Sequence, residues 1–288
     1  MKVLVVIVTY NGMKWIDQCL SALRESSHPV TTIVIDNHST DGTPAFISDN
    51  YPEVVLEAKQ ENLGFGQGNN VGLRYALDNG FDYVMLLNQD AYLQADAIEK
   101  LLKVADGRNL FSPLHLCGDG TRLDSQFRDS LRRADNKMLD DLLLSGSAQP
   151  MYETGEVCAA CWLMPIDIIR TVGGFNPLFF HYGEDNNYYT RLECHGRKTY
   201  VATAAHVWHD RKTHGNEAVF QERNIRNRIY VALCIPHLSW ALRLRKVVRV
   251  FIEEPFGPTL RECLKALGSW RAIAQSRKAE RQSNTTWL

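Results

Sequence analysis

The chain has no long apolar run, no excess of one charge and no dense set of cysteines, and each absence removes a class of protein. Its apolar start, Val3 to Val8, is too short to cross a bilayer. Thr9, Tyr10 and Asn11 follow where a secretion signal still needs apolar residues and a small-residue cleavage site. A cytoplasmic protein is expected. Lys and Arg number 32 against 33 Asp and Glu, a formal net charge of -1, so no global field points to nucleic acid or another polyanion. The seven cysteines, at positions 19, 117, 158, 161, 194, 234 and 263, are odd in number and scattered, unlike the framework of a small secreted domain. Cys158 and Cys161 make one C-x-x-C within the apolar stretch Val157 to Met164. No second pair follows, which favours buried packing over zinc or redox chemistry. Internal repeats and low-complexity tracts are missing as well.

What is present suits one large core: 45% of the 288 residues are hydrophobic, the scale of a single α/β domain with a tail. Three β-rich runs come early, Lys2 to Thr9, Thr31 to Asp36 and Tyr83 to Asn88. Between them, Met13 to Glu25 carries Trp15, Ile16, Cys19, Leu20 and Leu23 at helical spacing, and Gln67 to Asn79 carries Val71, Tyr75 and Leu77. Alternating strand and helix predicts a doubly wound, mostly parallel α/β sheet with helices on both faces. On this pattern 1–105 forms one half of a catalytic domain. The polar stretch 106–150 is a loop or lid, 151–215 a second half, and 216–288 a helical C-terminal region.

Ligands of such sheets bind beyond the carboxyl ends of the strands. All three early strands end in polar residues: Thr9-Tyr10-Asn11, Asp36-Asn37 and Asn88-Gln89-Asp90. One such end is an ordinary turn, whereas three in one half-chain favour a site. Asp36 can accept the imide N–H of a pyrimidine, its plain alternative being a cap for the helix after Asp41-Gly42-Thr43. Asp90 would project into the cleft, where an oxygen ligand can hold Mg2+ or Mn2+ against two phosphates. Its alternative is the cap of a helix near Leu93 to Val104.

Glu184-Asp185 follow the aromatic stretch Phe179-Phe180-His181-Tyr182 and precede an expected helix, Asn187 to His195. A helix dipole favours acids there for structural reasons alone. It also keeps a carboxylate ionised, as a general base must be. The aromatic residues would exclude water and stack on sugar faces. His209, beyond an expected strand Lys198 to Ala202, suits an added metal ligand, with His206 and His214 as nearby alternatives.

In order and spacing these segments resemble the family 2 glycosyltransferases of the GT-A fold, over roughly residues 3 to 230. Ile7-Val8-Thr9-Tyr10-Asn11 is similar to the family's opening strand, and Val34 to Gly42 to its base-binding turn. The glycine-rich segment Asn62 to Gly72 is similar to the stretch that lines the nucleotide. Leu86 to Asp90 stands at the metal-binding D-x-D, with Asn88 in place of the first Asp, and Gly183-Glu184-Asp185 at the catalytic acidic pair. Cys158-Ala159-Ala160-Cys161-Trp162 has alanine where relatives often have glycine.

The resemblance implies a metal-dependent, inverting single displacement. The donor would be a nucleotide diphosphate sugar, dTDP- or UDP-linked, and the acceptor a hydroxyl of a saccharide or lipid-linked compound. By this analogy Asp185 removes the acceptor proton, Glu184 positions hydroxyls, and Asp90 and His209 hold Mg2+ or Mn2+. Thr9, Tyr10, Asn11, Asp36, Asn37, Gly66, Asn70 and Asn88 would contact the nucleotide, making 1–105 the nucleotide-binding half. Trp162, His181 and Tyr182 would meet the acceptor. Within the family the chain looks most like rhamnosyltransferase-type members that build bacterial surface polysaccharides.

Two other readings stay open. A catalytically degenerate nucleotide-sugar-binding module is supported by Asn88 and opposed by Asp90, Glu184, Asp185 and His209. A sugar nucleotidyltransferase needs a glycine-rich basic phosphate loop where this chain has Tyr10-Asn11-Gly12-Met13-Lys14. Gly64-Phe65-Gly66-Gln67-Gly68 does not match a dinucleotide fingerprint, and its glycines read as close backbone approach to a ligand or as a turn. From Trp240 to Leu288, ten basic residues stand against four acidic ones, with apolar residues interleaved at helical spacing. Such a basic amphipathic segment either lies on an anionic membrane surface or caps the catalytic domain with a solvated face. The lipid-linked acceptors implied by the resemblance favour peripheral contact with the inner face of the cell membrane.

Overall fold

The computed structural model describes residues 1–133, 137–210, 217–280 and 287–288. Strand β1 (Val3–Thr9) is buried along nearly its whole length, as an unbroken run of branched apolar residues covered on both faces requires. Helix α1 (Ile16–Arg24) buries Ile16, Cys19, Leu20 and Leu23 and returns the chain to β2 (Val30–Asp36), parallel to β1. Helix α2 (Thr43–Asn50), β3 (Val55–Ala58), α3 (Gly64–Asp78) and β4 (Tyr83–Asn88) continue the alternation, so β3-β2-β1-β4 is a parallel half-sheet. Val3, Val5 and Ile7 pack into one cluster with α1, while Leu4 and Val6 join Leu73 of α3 in another.

The glycine-rich segment differs from its expected role. It lies inside α3, where a Cβ on Gly72 would come 2.3 Å from Val6 Cγ1 and one on Gly68 2.9 Å from Val8 Cγ1. These glycines let the helix settle directly on β1. Gly66 stands equally close to Phe175, with a would-be Cβ 2.9 Å from that residue's Cβ.

After β5 (Ala91–Leu93) and α4 (Ala97–Val104), the sheet becomes mixed. The stretch 106–150, expected as a loop or lid, supplies β6 (Leu110–Cys117), paired with strands on both sides, and α5 (Ser125–Arg133). Two features hide this strand from its pattern. Buried Ser112 and His115 satisfy each other, Ser112 Oγ lying 3.0 Å from His115 Nε2, and Pro113 marks a shift of register. Then come α6 (Met138–Asp140), β7 (Met151–Thr154), β8 (Cys161–Pro165), α7 (Ile166–Val172), α8 (Glu184–Cys194) and β9 (Thr199–His209). Strand β9 outruns the expected Lys198 to Ala202. Pro113 pairs with Ala202 and Leu114 with His206, so Thr203 to Ala205 bulge and the strand resumes as far as His209. The sheet order is β3-β2-β1-β4-β8-β6-β9-β5, with β7 on β9.

Among the described residues four helices follow β9: α9 (Glu217–Cys234), α10 (Trp240–Glu253), α11 (Phe256–Gly268) and α12 (Trp270–Glu280). They pack onto the catalytic half rather than trailing from it. Phe179 joins their apolar core, and the Arg191 guanidinium sits 4.6 Å from the Trp287 ring. Arg243, one of the basic residues of this region, is fully buried and donates to the Ile235 carbonyl at 2.6 Å. On the outer side, Trp240, Leu244, Val248 and Ile252 of α10 and Phe256, Leu260, Leu264 and Leu267 of α11 are exposed. Aromatic pairs, Trp240 with Trp270 at 5.0 Å and Phe251 with Phe256 at 5.8 Å, tie these stripes at both ends. Among the described residues no helix is long and apolar enough to cross a membrane.

Candidate active site

Parallel register brings the polar strand ends to one edge, since Thr9 pairs with Asp36 and Val8 with Asn88. Asp36 is almost fully buried and accepts from Thr9 Oγ1 at 2.9 Å, Ser39 N at 2.9 Å and Ser39 Oγ at 2.5 Å. An ionised carboxylate has about four acceptor positions, so one remains for a ligand. Asp41, not Asp36, bonds the start of α2, through Thr43 N at 3.1 Å. Asn11, at φ 49°, ties the two loops by accepting Thr40 N. Asn37 spans Gly64 and Leu63 with its side-chain amide, while the Tyr10 side chain stays 49% exposed at the mouth.

Two expected nucleotide contacts and one acceptor contact lie elsewhere. Both ends of the Asn70 amide are taken by the Phe175 backbone, at 2.8 and 2.6 Å, so this residue joins the two halves. Gly66 is buried against Phe175 and Glu184 in the same seam. Trp162 is 2% exposed, packed with Phe175 and Tyr188 and donating to the Val157 carbonyl, which leaves no face for an acceptor.

Just beyond the carboxyl end of β4, Asp90 precedes β5, which is antiparallel to β9 with Ala91 opposite His209. Nε2 of His209 therefore lies 3.4 Å from Asp90 Oδ1. Two neighbouring ligands of an octahedral ion with ~2.1 Å bonds stand about 3.0 Å apart, so this pair suits a shared Mg2+ or Mn2+. Among the described residues no three His, Cys, Asp or Glu side chains form a cage. Such an ion would complete its shell from a diphosphate and water, as Mg2+ commonly does. Asn88 Oδ1, buried without a hydrogen bond at the same strand end, adds an unsatisfied acceptor.

The other histidines separate clearly. His206 is bound to Gln94 at 3.0 Å, and His214 lies outside the described residues. Asp124, which pattern did not reveal, stands 3.8 Å from His209 Nδ1. Its only local signal is the helix start it caps, accepting Phe127 N at 2.9 Å.

The acidic pair opens α8 itself, one turn earlier than expected. Gly183 provides the turn at φ 88°, where a Cβ would also strike Asn227. Asp185 lines a cleft of about 660 Å³ with Tyr182, Glu156, Asn186 and residues of α9 and α10. Glu184 points inward, 5% exposed, and burial followed by the Asp185 charge pushes its carboxyl up to about 8. Desolvation thus outweighs the helix dipole expected to keep it ionised. His181 packs on Tyr182 with ring centres 4.1 Å apart, and Tyr182 itself holds φ 68°.

The family model Glycosyl transferase family 2 matches residues 4–172, more than half of the chain. The chain belongs to glycosyltransferase family 2. Within that family this transferase is rhamnosyltransferase-like. The N-acetylglucosaminyl-diphospho-decaprenol L-rhamnosyltransferase of Mycobacterium tuberculosis is 27% identical over 264 residues, covering 82% of this chain and 85% of that protein. Its fold is that of GT-A enzymes. TarS 1-349 of S. aureus, solved with UDP, gives a TM-score of 0.59 at 16% identity, over 96% of this chain and 81% of that one. Against a longer TarS chain the match spans 43% of that chain. Mannosyltransferase PcManGT of Pyrobaculum calidifontis, solved with GDP-Man and Mn2+, gives 0.56 at 16% identity, over 97% of this chain and 84% of that one.

Proposed function

We propose that this glycosyltransferase moves rhamnose from dTDP-rhamnose to a hydroxyl of a lipid-diphosphate-linked saccharide, with inversion, in bacterial surface polysaccharide synthesis. The observation that carries this is Asp185 in the wall of a cleft while Asp90 and His209 meet at the carboxyl edge of the sheet. The activity of the mycobacterial relative, an L-rhamnosyltransferase acting on a diphospho-decaprenol-linked sugar, supports the choice of sugar and acceptor class.

In this mechanism Asp185 takes the acceptor proton as the oxygen attacks the anomeric carbon. One C–O bond forms while the bond to the phosphate oxygen breaks, and its electrons leave with the nucleoside diphosphate. Glu184, protonated near neutral pH, holds the pair to one negative charge. Asp36, with Thr9, takes the base edge. Asp90 and His209 would hold Mg2+ or Mn2+, which supplies charge neutralisation for the departing diphosphate.

The test is incubation with dTDP-rhamnose, Mg2+ and a short-chain lipid-diphosphate N-acetylglucosamine, with the product anomer read by NMR. Acceptor-dependent transfer giving an inverted linkage is expected. Retention of configuration, or donor cleavage indifferent to acceptor, would overturn the mechanism.

The exposed apolar stripes of α10 and α11, flanked by Arg245, Arg261, Lys265 and Arg271, support peripheral membrane contact. Because the C-terminal helices also close the catalytic half, point changes test this better than truncation. Flotation with anionic vesicles is expected for the native chain and lost in the double variant Leu244→Glu, Ile252→Glu. Equal flotation of both would make these helices a cap only.

A further inference from the structure

The cleft beside Asp185 has uneven charge matching. Asp129 and Glu156 line it together with Asp185, so its acidic side repels any anion that enters. On the wall built from α9 and α10, Arg228 pairs with Glu253 and Glu254, and Arg249 with Glu253 at 2.5 Å. Lys246 lines the same wall, exposed, and forms no ion pair among the described residues. Val231, Ile235 and Val250 lie in that wall as well, giving it an apolar strip. An unmatched ammonium beside an apolar strip, in the same cavity as the Asp185 carboxylate, fits a ligand with three parts: a hydroxyl, a phosphate and a hydrocarbon.

We infer that Lys246, seconded by Arg249, binds the phosphate that joins the acceptor sugar to its lipid. This rests on the lipid-diphosphate reading above and assigns that acceptor a phosphate site distinct from the metal-side position of the donor diphosphate. The compact ammonium and its three rotatable donors suit a phosphate that must arrive and leave at each turnover. The strip of Val231, Ile235 and Val250 takes the first carbons of the chain. Helix α10 carries both this wall and, around its circumference, the exposed Leu244, Val248 and Ile252, so the rest of the lipid has an apolar surface to follow.

The test is calorimetric binding of farnesyl diphosphate and of farnesol in neutral detergent, with the donor site filled by dTDP and Mg2+. The full-length chain is expected to prefer the diphosphate. Lys246→Ala should weaken that binding roughly tenfold or more, as loss of a charged hydrogen bond does, and Lys246→Glu should remove it. Lys246→Arg should keep most of it, and farnesol binding should not change. No preference in the native chain, or native binding by Lys246→Glu, overturns the inference. So does a Lys246 effect seen only with anionic vesicles, which would assign the cation to a lipid headgroup. Binding is read without turnover, so a failed sugar-transfer assay would count against the transferase reading alone.

Discussion

Glu280, on the last helix, accepts a hydrogen bond at 2.7 Å from Asn187, three residues beyond Glu184 in the first turn of α8. The same oxygen accepts from Asn176 at 2.7 Å, so the C-terminal helix pins both the catalytic helix and the loop before it. Burial raises the Glu280 carboxyl, an effect that Arg191 and the two asparagines oppose.

Replacing Glu280 by alanine takes the acceptor from the buried Asn187 amide and one of two from Asn176, which keeps Ser276 Oγ. The expected cost is on the order of 2–4 kcal/mol, read as a lower urea midpoint. Glu280→Gln, which retains an acceptor, should cost less. Unchanged midpoints in both variants would remove this network from the account of stability.

Glu184 predicts a pH effect of definite sign. Burial, and then the Asp185 charge, push its carboxyl up to about 8 in the folded chain, from an ordinary 4.5. Between these values the folded state holds a proton that the unfolded state has lost, so stability falls as pH rises through that window and levels off above it. The span amounts to a few kcal/mol at most. In Glu184→Gln this part of the slope should vanish, making the variant relatively more stable at pH 8 than at pH 5. Parallel stability profiles for the two proteins would contradict the assignment.

Asp185→Asn should lower kcat on the order of 10²- to 10⁴-fold, as loss of a general base does, with little change in the melting temperature or in donor binding. Activity near that of the native chain would take Asp185 out of the chemistry.

Chelation by EDTA should abolish transfer, and added Mg2+ or Mn2+ should restore it. Metal titration should show a higher requirement in Asp90→Ala and His209→Ala. Asp124→Ala, which removes the carboxylate on the Nδ1 side of His209, should weaken metal affinity roughly 10- to 100-fold, as changes behind a ligand do. Turnover that ignores EDTA would count against the metal site.

The parts legible in the sequence were those carried by local repetition. β1, β2 and β4 lie within a residue of their expected bounds, because an apolar run between polar ends reports burial on both faces of a sheet. The polar strand ends and the acidic pair at a helix start were equally visible, since each is set by residues within a few positions. Tertiary structure alone decided the rest. Strand β6 hides its pattern behind Ser112, Pro113 and His115, whose polar atoms are satisfied only once the strand is in place. Asn70 looks like a ligand contact until its partner Phe175, 105 residues away, arrives. Asp124 meets His209 only when the fold joins positions 85 residues apart, and Glu184 becomes a proton holder only when the fold removes its water. Periodicity encodes which face of an element is apolar. Desolvation and long-range pairing depend on what that face is brought against, and that is settled only when the chain closes on itself.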